Sequence, residues 1–133
     1  MDKVTELLQQ LISINSVNPS LVPGAPGENE LTRFVAEWLE GLDAEVYWIE
    51  PILGRPSVLG RIHGSGGGRS IILYAHLDTV GVEGMESPHS PIVRGNQIFG
   101  RGAYDMKGGL AYVKRGVLGR NTPNGSGEKE ERR

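Results

Sequence analysis

Two segments constrain this chain most: residues 70–80, SIILYAHLDTV, and residues 100–109, GRGAYDMKGG. A short apolar run bounded by Gly and Ser predicts a buried strand. His76 and Asp78 then stand where that strand emerges, and residues two apart on an extended chain share a face. The pair suits a metal-binding His and the carboxylate that orients it, because a carboxylate on one ring nitrogen leaves the other free. In the second segment Asp105 lies among Gly100, Gly102, Gly108 and Gly109, so the backbone there can take turns closed to other residues. A carboxylate on such a turn has two oxygens, enough to bridge two cations roughly 3.5–4 Å apart. Plainer readings stand beside these. A lone His at a strand end is commonly structural, and an Asp just before a helix is commonly its N-cap.

The remaining elements follow from periodicity. Val4, Leu7, Leu8, Leu11 and Ile12 form one apolar stripe and predict a helix over 3–14. Pro19, Pro23, Gly24 and Pro26 then punctuate a loop. Leu31, Phe34, Val35, Trp38, Leu39 and Leu42 predict a helix over 28–42, with Phe34 and Trp38 in the core. Residues 44–49 read as a strand. Residues 57–63 read as a second one, expected to pair with 70–75 across the link at 64–68. That GSGGG link lacks the Lys and Ser/Thr of a phosphate-binding loop and precedes no helical pattern, so it reads as a hairpin loop. Residues 91–99 predict a small hairpin around Gly95-Asn96. Leu110, Val113 and Val117 predict a helix over 107–118, weakened by Gly116.

The chain has 133 residues and no Cys. A transition metal would therefore be held by His and carboxylate, not by thiolate. A net charge of -2 argues against a nucleic-acid or anionic-membrane surface. The start, MDKVTELLQQLI, has spaced apolar residues and acids, unlike a signal peptide. No apolar run is long enough to span a bilayer, so a cytoplasmic location is expected.

HLDTV, then Pro88 and Pro91, then IFGRGAYDMKGGLA together resemble the zinc-dependent amidohydrolase and exopeptidase family. That family includes acetylornithine deacetylase, succinyl-diaminopimelate desuccinylase, aminoacylase and carboxypeptidase G. The likeness covers residues 1–111, and Gly27-Glu28 matches the pair that opens the second helix in the family. It implies an α/β fold, a mixed sheet with flanking helices, of which this chain supplies a truncated part over residues 1–118. By it, His76 is a metal ligand, Asp78 the residue that orients it, and Asp105 a carboxylate bridging two zinc ions, with cobalt as a possible substitute. The implied reaction is hydrolysis of an amide bond in an N-acyl amino acid or short peptide, in a protein that can form homodimers when full length.

The family's remaining ligands and its Glu-Glu pair, which supplies the general base, have no match here. Glu130-Glu131 lies in a charged run with no apolar strand before it and reads as solvated. His63 and His89 read as surface or loop residues, with a minor prospect that His89 lines the substrate cleft. Lys107 is open between facing the site and facing solvent. Arg101 is open between pairing with substrate and simple solvation. Asp43, Glu83 and Glu86 could approach a metal, but nothing in their settings singles them out. Residues 119–133 are polar, Gly-rich and charged, and are expected to be disordered. The loss of apolar periodicity there suggests a frameshift or truncation, which coding DNA without an insertion or deletion would weaken. The chain alone is expected to be inactive. The rival readings are a non-catalytic remnant, half of a split enzyme, a di-zinc aminopeptidase and a one-metal binding module.

Overall fold

The computed structural model describes residues 2–118. Helix α1, Lys3–Ser13, starts at Asp2, whose carboxylate accepts the Val4 and Thr5 backbone N–H groups at 2.8 and 3.0 Å. This cap satisfies two donors that a first helical turn leaves free. Helix α2, Asn29–Glu40, follows Glu28 and turns Leu31, Val35 and Leu39 inward. Helix α3, Gly108–Leu118, adds Leu110 and Ala111 to the same core as Leu7 and Leu11 of α1. Phe34 and Trp38 pack at its margin, where the Lys114 ammonium stands 5.3 Å from the Trp38 ring.

Strands β1, Glu45–Ile49, and β2, Ser57–Arg61, pair antiparallel with Glu45 opposite Arg61 and Ile49 opposite Ser57. Helix α2 lies on this pair. The contact depends on Gly60, where a Cβ would stand 2.5 Å from a Leu39 methyl carbon. A second pair, β3, Ile92–Arg94, and β4, Gln97–Phe99, forms the expected hairpin around Gly95-Asn96. Before α3 the chain kinks at Asp105 and Met106, whose backbone angles are not helical, so α3 starts within a residue of the expected 107.

The sheet differs from expectation in two ways. Residues 57–61 pair with 45–49, not with 70–75, and α2 closes over that pair with Leu39 seated on Gly60. Residues 70–75 form no strand among the described residues, because a strand exists only through ladder bonds and these residues make none. In place of one mixed sheet there are thus two antiparallel pairs, with a single parallel bridge between Val17 and Thr79. The helices and small sheets remain an α/β arrangement. The expectation for 119–133, Glu130-Glu131 included, falls outside the described residues.

Candidate functional site

The Val17–Thr79 bridge fixes the end of the unpaired segment. Thr79 N–H donates to Ser16 O, and Asn18 N–H donates to Thr79 O, both at 2.9 Å. Ala75 and Leu77 pack against the helical core, which leaves His76 and Asp78 pointing away from it, half-exposed. The strand expected to carry this pair is absent, yet the pair is held where that strand would have ended.

Asp105 reaches the same point from the other segment. Gly102 has a φ of +81°, and a Cβ there would meet Thr79 Cγ2 at 2.9 Å and Lys107 Cδ at 3.0 Å. Only glycine fits that conformation and that space. The turn that follows projects Asp105 outward, with its side chain 79% exposed. Its carboxylate meets His76 Nε2 at 2.8 Å. The carboxylate is thus engaged by the imidazole, not by a helix N–H as an N-cap would be.

His76 Nδ1 donates to the Asp78 backbone oxygen at 3.0 Å, with the Asp78 carboxylate at 3.4 Å. Asp78 is steadied in turn by Asn18 Nδ2, 2.8 Å from its other oxygen. Asn18 has its own oxygen on the Ser20 N–H at 2.8 Å, so its amide can present only the NH₂ to Asp78. The site is a line of four side chains, Asn18, Asp78, His76 and Asp105. Burial pushes the His76 imidazolium pKa down, but the hydrogen bonds to Asp105 and Asp78 and both carboxylate charges outweigh it and hold it above 6.5. A cation bound by Asp105 and Nε2 would take the place of that ring proton.

The donor types suit a divalent transition metal: an imidazole oriented through Nδ1, and an exposed carboxylate facing Nε2. Catalytic zinc takes about three protein ligands. Among the described residues no group of three His, Asp or Glu side chains could hold a metal ion. The chain therefore offers two donors and an orienting carboxylate. They open onto a cavity of about 480 Å³, also lined by Arg101, Met85 and Phe99.

The other candidates fall elsewhere. His63 is exposed and pairs with Glu45 at 3.1 Å across the β1–β2 ladder, a partner far from it in sequence. Asp43 occupies a left-handed turn between α2 and β1. Glu83 and Glu86 are exposed. His89 lies in the loop before β3, as expected, but is half-buried, with both ring nitrogens shut off from solvent and without a hydrogen-bond partner. Burial first, then the charges of Lys107 and Arg101, lower its pKa below 6.5. Lys107 is 1% exposed, and its Nζ donates to Ile14 O at 2.7 Å. It sits beneath the site, and burial lowers its pKa to about 8. Asn18 escaped sequence reading altogether, since nothing in a Pro-rich loop marks the residue that will meet Asp78.

Residues 72–119 match the model of peptidase family M20/M25/M40. The chain is 30% identical over 113 residues to acetylornithine deacetylase of Photorhabdus laumondii, covering 81% of this chain and 29% of that protein. It is 34% identical over 108 residues to acetylornithine deacetylase of Aliivibrio fischeri, covering 79% and 28%. It is 31% identical over 120 residues to N-formyl-4-amino-5-aminomethyl-2-methylpyrimidine deformylase of Bacillus subtilis, covering 84% and 28%. The chain thus spans under a third of the length of these relatives. With the family match falling on the two segments that build the site, the chain belongs to peptidase family M20/M25/M40 and corresponds to the N-terminal part of such a protein.

Proposed function

We propose that this chain is the N-terminal part of a two-metal hydrolase that cleaves the amide bond of an N-acyl amino acid or short peptide, in the manner of the acetylornithine deacetylases it resembles. The observation that carries this reading is the Asp78–His76–Asp105 line, in which the Asp78 main-chain oxygen holds the imidazole through Nδ1, its carboxylate stands 3.4 Å from the same nitrogen, and the Asp105 carboxylate meets Nε2. Zinc is the metal proposed, with His76 and Asp105 as ligands and a zinc-exopeptidase-like catalytic domain as the fold. The metal would supply an electrophile for the amide carbonyl and a means of activating water. The chain's own residues hold the ligands: Asn18 fixes Asp78, Asp78 fixes the His76 ring, and Gly102 lets the turn project Asp105. Arg101 lines the cavity and is the cation nearest in place for a substrate carboxylate. A cytoplasmic location and a small-molecule substrate belong to the same proposal.

Among the described residues the site has two donors and no third, so hydrolysis by this chain alone is not expected. The test is a fusion in which residues 1–118 replace the matched N-terminal part of the Aliivibrio fischeri deacetylase. Hydrolysis of N-acetylornithine that is lost on chelation and in Asp105→Ala supports the reading. Full activity of Asp105→Ala, or hydrolysis by the isolated chain, would sink it.

A further inference from the structure

The cavity beside His76 and Asp105 has walls that the ligand pair leaves unused. One is the turn after Thr79. Met85 N–H donates to Val82 O at 3.0 Å, Gly84 takes a φ of +76°, and the turn sets Val80 and Met85 on the cavity. The β3–β4 hairpin and the chain after it bring Ile98, Phe99 and Tyr104 to the same cavity. Val80 and Phe99 are half-exposed, and Tyr104, next to Asp105, is 98% exposed. Apolar surface held in water gains by being covered. The charges around this wall have the opposite effect on a cation. Asp78 is engaged by His76 and Asn18, and Asp105 by His76. Among the described residues lining the cavity these two are the sole acids, and Glu83 and Glu86 of the turn do not line it. Arg101 lines it, and the Arg94 guanidinium stands 5.6 Å from the Phe99 ring centre. A cationic side chain brought in would meet two guanidiniums and no free carboxylate, and would lose its water without gaining a partner.

We infer that this cavity takes an apolar amino-acid side chain, so that the substrate is the N-acyl derivative of a neutral apolar or aromatic amino acid and not of ornithine. The inference rests on the proposed function and narrows the substrate of that same site. Arg101 comes between Phe99 and Tyr104 in the chain and meets the substrate carboxylate. The side chain grows from the carbon that bears this carboxylate, so it is the group that falls on the wall. The acyl group lies across the amide bond, towards His76 and Asp105. Met85, Phe99 and Tyr104 are then specificity residues, which cover the side chain and touch no reacting atom. Such a wall discriminates usefully, since a single methylene in an apolar pocket changes recognition by about tenfold or more.

The test photolabels the full chain, without metal, using N-acetyl-4-benzoylphenylalanine, and maps the label by mass spectrometry. Label is expected at Met85, Phe99 or Tyr104. N-acetylphenylalanine should chase it at a concentration about tenfold or more below that of N-acetylornithine. Met85→Glu supplies the missing acid and should bring the two concentrations together. Tyr104→Ser removes a ring that touches almost only solvent, so the fold stays intact, and it should weaken the chase by N-acetylphenylalanine several-fold. Absence of label at all three residues, or an equal chase by the two compounds, would overturn the inference. A chase led by N-acetylornithine would do so too, showing that the Tyr104 ring receives an ammonium instead. Unchanged concentrations in both variants would remove these residues from specificity. N-hexanoylglycine carries its apolar group on the acyl side, and a stronger chase by it than by N-acetylphenylalanine would overturn the assignment to the side chain. Hydrolysis is read separately in the deacetylase fusion. The expected order of chase without hydrolysis leaves the apolar subsite standing and removes the amide-hydrolase reading, and hydrolysis with an equal chase does the reverse.

Discussion

Asp78 touches His76 on one side and Asn18 on the other, so its part in the site is to hold a ring still. Residues that orient a metal-bound imidazole typically change metal affinity by about 10–100-fold when removed. The Nδ1 hydrogen bond to the Asp78 main-chain oxygen survives Asp78→Ala and only the carboxylate contact at 3.4 Å is lost, so we expect this variant to weaken zinc binding by the deacetylase fusion towards the lower end of that range, and Asn18→Ala to weaken it less. Competition against a chromophoric chelator measures both, and unchanged affinity in Asp78→Ala would remove its orienting role. His89 carries a second prediction at this scale. Its folded pKa lies below 6.5, under burial and the facing charges of Lys107 and Arg101, while the Ile12 backbone, short of a hydrogen bond, offsets only part of this. The unfolded chain therefore binds this proton more readily than the folded one. The stability at issue is fully present above pH 6.5 and is lost as pH falls towards and through the folded pKa. His89→Gln should flatten that acid-side loss in denaturation midpoints recorded from pH 7 to 5. An equal slope in both proteins would show that the ring is not held neutral.

Among the elements, the helix–sheet contact and the start of α2 are the tight points. Gly60 leaves room for Leu39, and an added methyl would overlap it. Gly60→Ala should destabilise the fold by about 1–3 kcal/mol through overpacking. Glu28, just before α2, makes no cap bond but pairs with Arg55 Nε at 2.8 Å, and Arg55 also reaches Ser20. Both partners of this pair are largely removed from solvent. Removing one leaves the other charge poorly compensated, so Arg55→Met should cost about 1–3 kcal/mol. Urea denaturation reads both variants, and a change under about 0.5 kcal/mol, the usual span of surface substitutions, would show that these contacts carry no weight. Gly27-Glu28 was marked as a helix opening by the family resemblance, and the acids Glu28 and Glu30 suit a first helical turn. The partner of Glu28 was not legible, since Arg55 comes from the β1–β2 link.

The whole molecule exposes what its elements leave unpaired. Beside residues 71–74, Tyr47, Trp48, Ile49 and Leu59 of the first sheet are also exposed. Open strand edges and apolar faces of this kind drive association. The isolated chain should self-associate in sedimentation velocity at micromolar concentration, and Ile72→Glu with Tyr74→Lys should reduce that association. A monodisperse monomer that unfolds cooperatively would contradict this. Among the described residues no helix is long and apolar enough to cross a membrane, so these apolar groups are not a helical membrane span.

What the sequence determined by itself was local. The apolar period placed α1 and α2 within a residue or two, and Gly95-Asn96 placed the β3–β4 turn. The two motifs also named His76, Asp78 and Asp105 before any contact was known. Each of those signals is carried by residues near one another in the chain. What only the tertiary structure decided was which distant groups meet. Residues 70–75 have the composition of a strand but make no ladder bond among the described residues. Asn18 meets Asp78 only because the Val17–Thr79 bridge brings a loop and the site together. Lys107 is buried by packing around Gly102, and the His89 ring nitrogens are shut off from solvent, although nothing adjacent in sequence marks either as interior. Periodicity and turn chemistry act over a few residues, whereas ladder pairing and burial depend on which surfaces are present to close against one another.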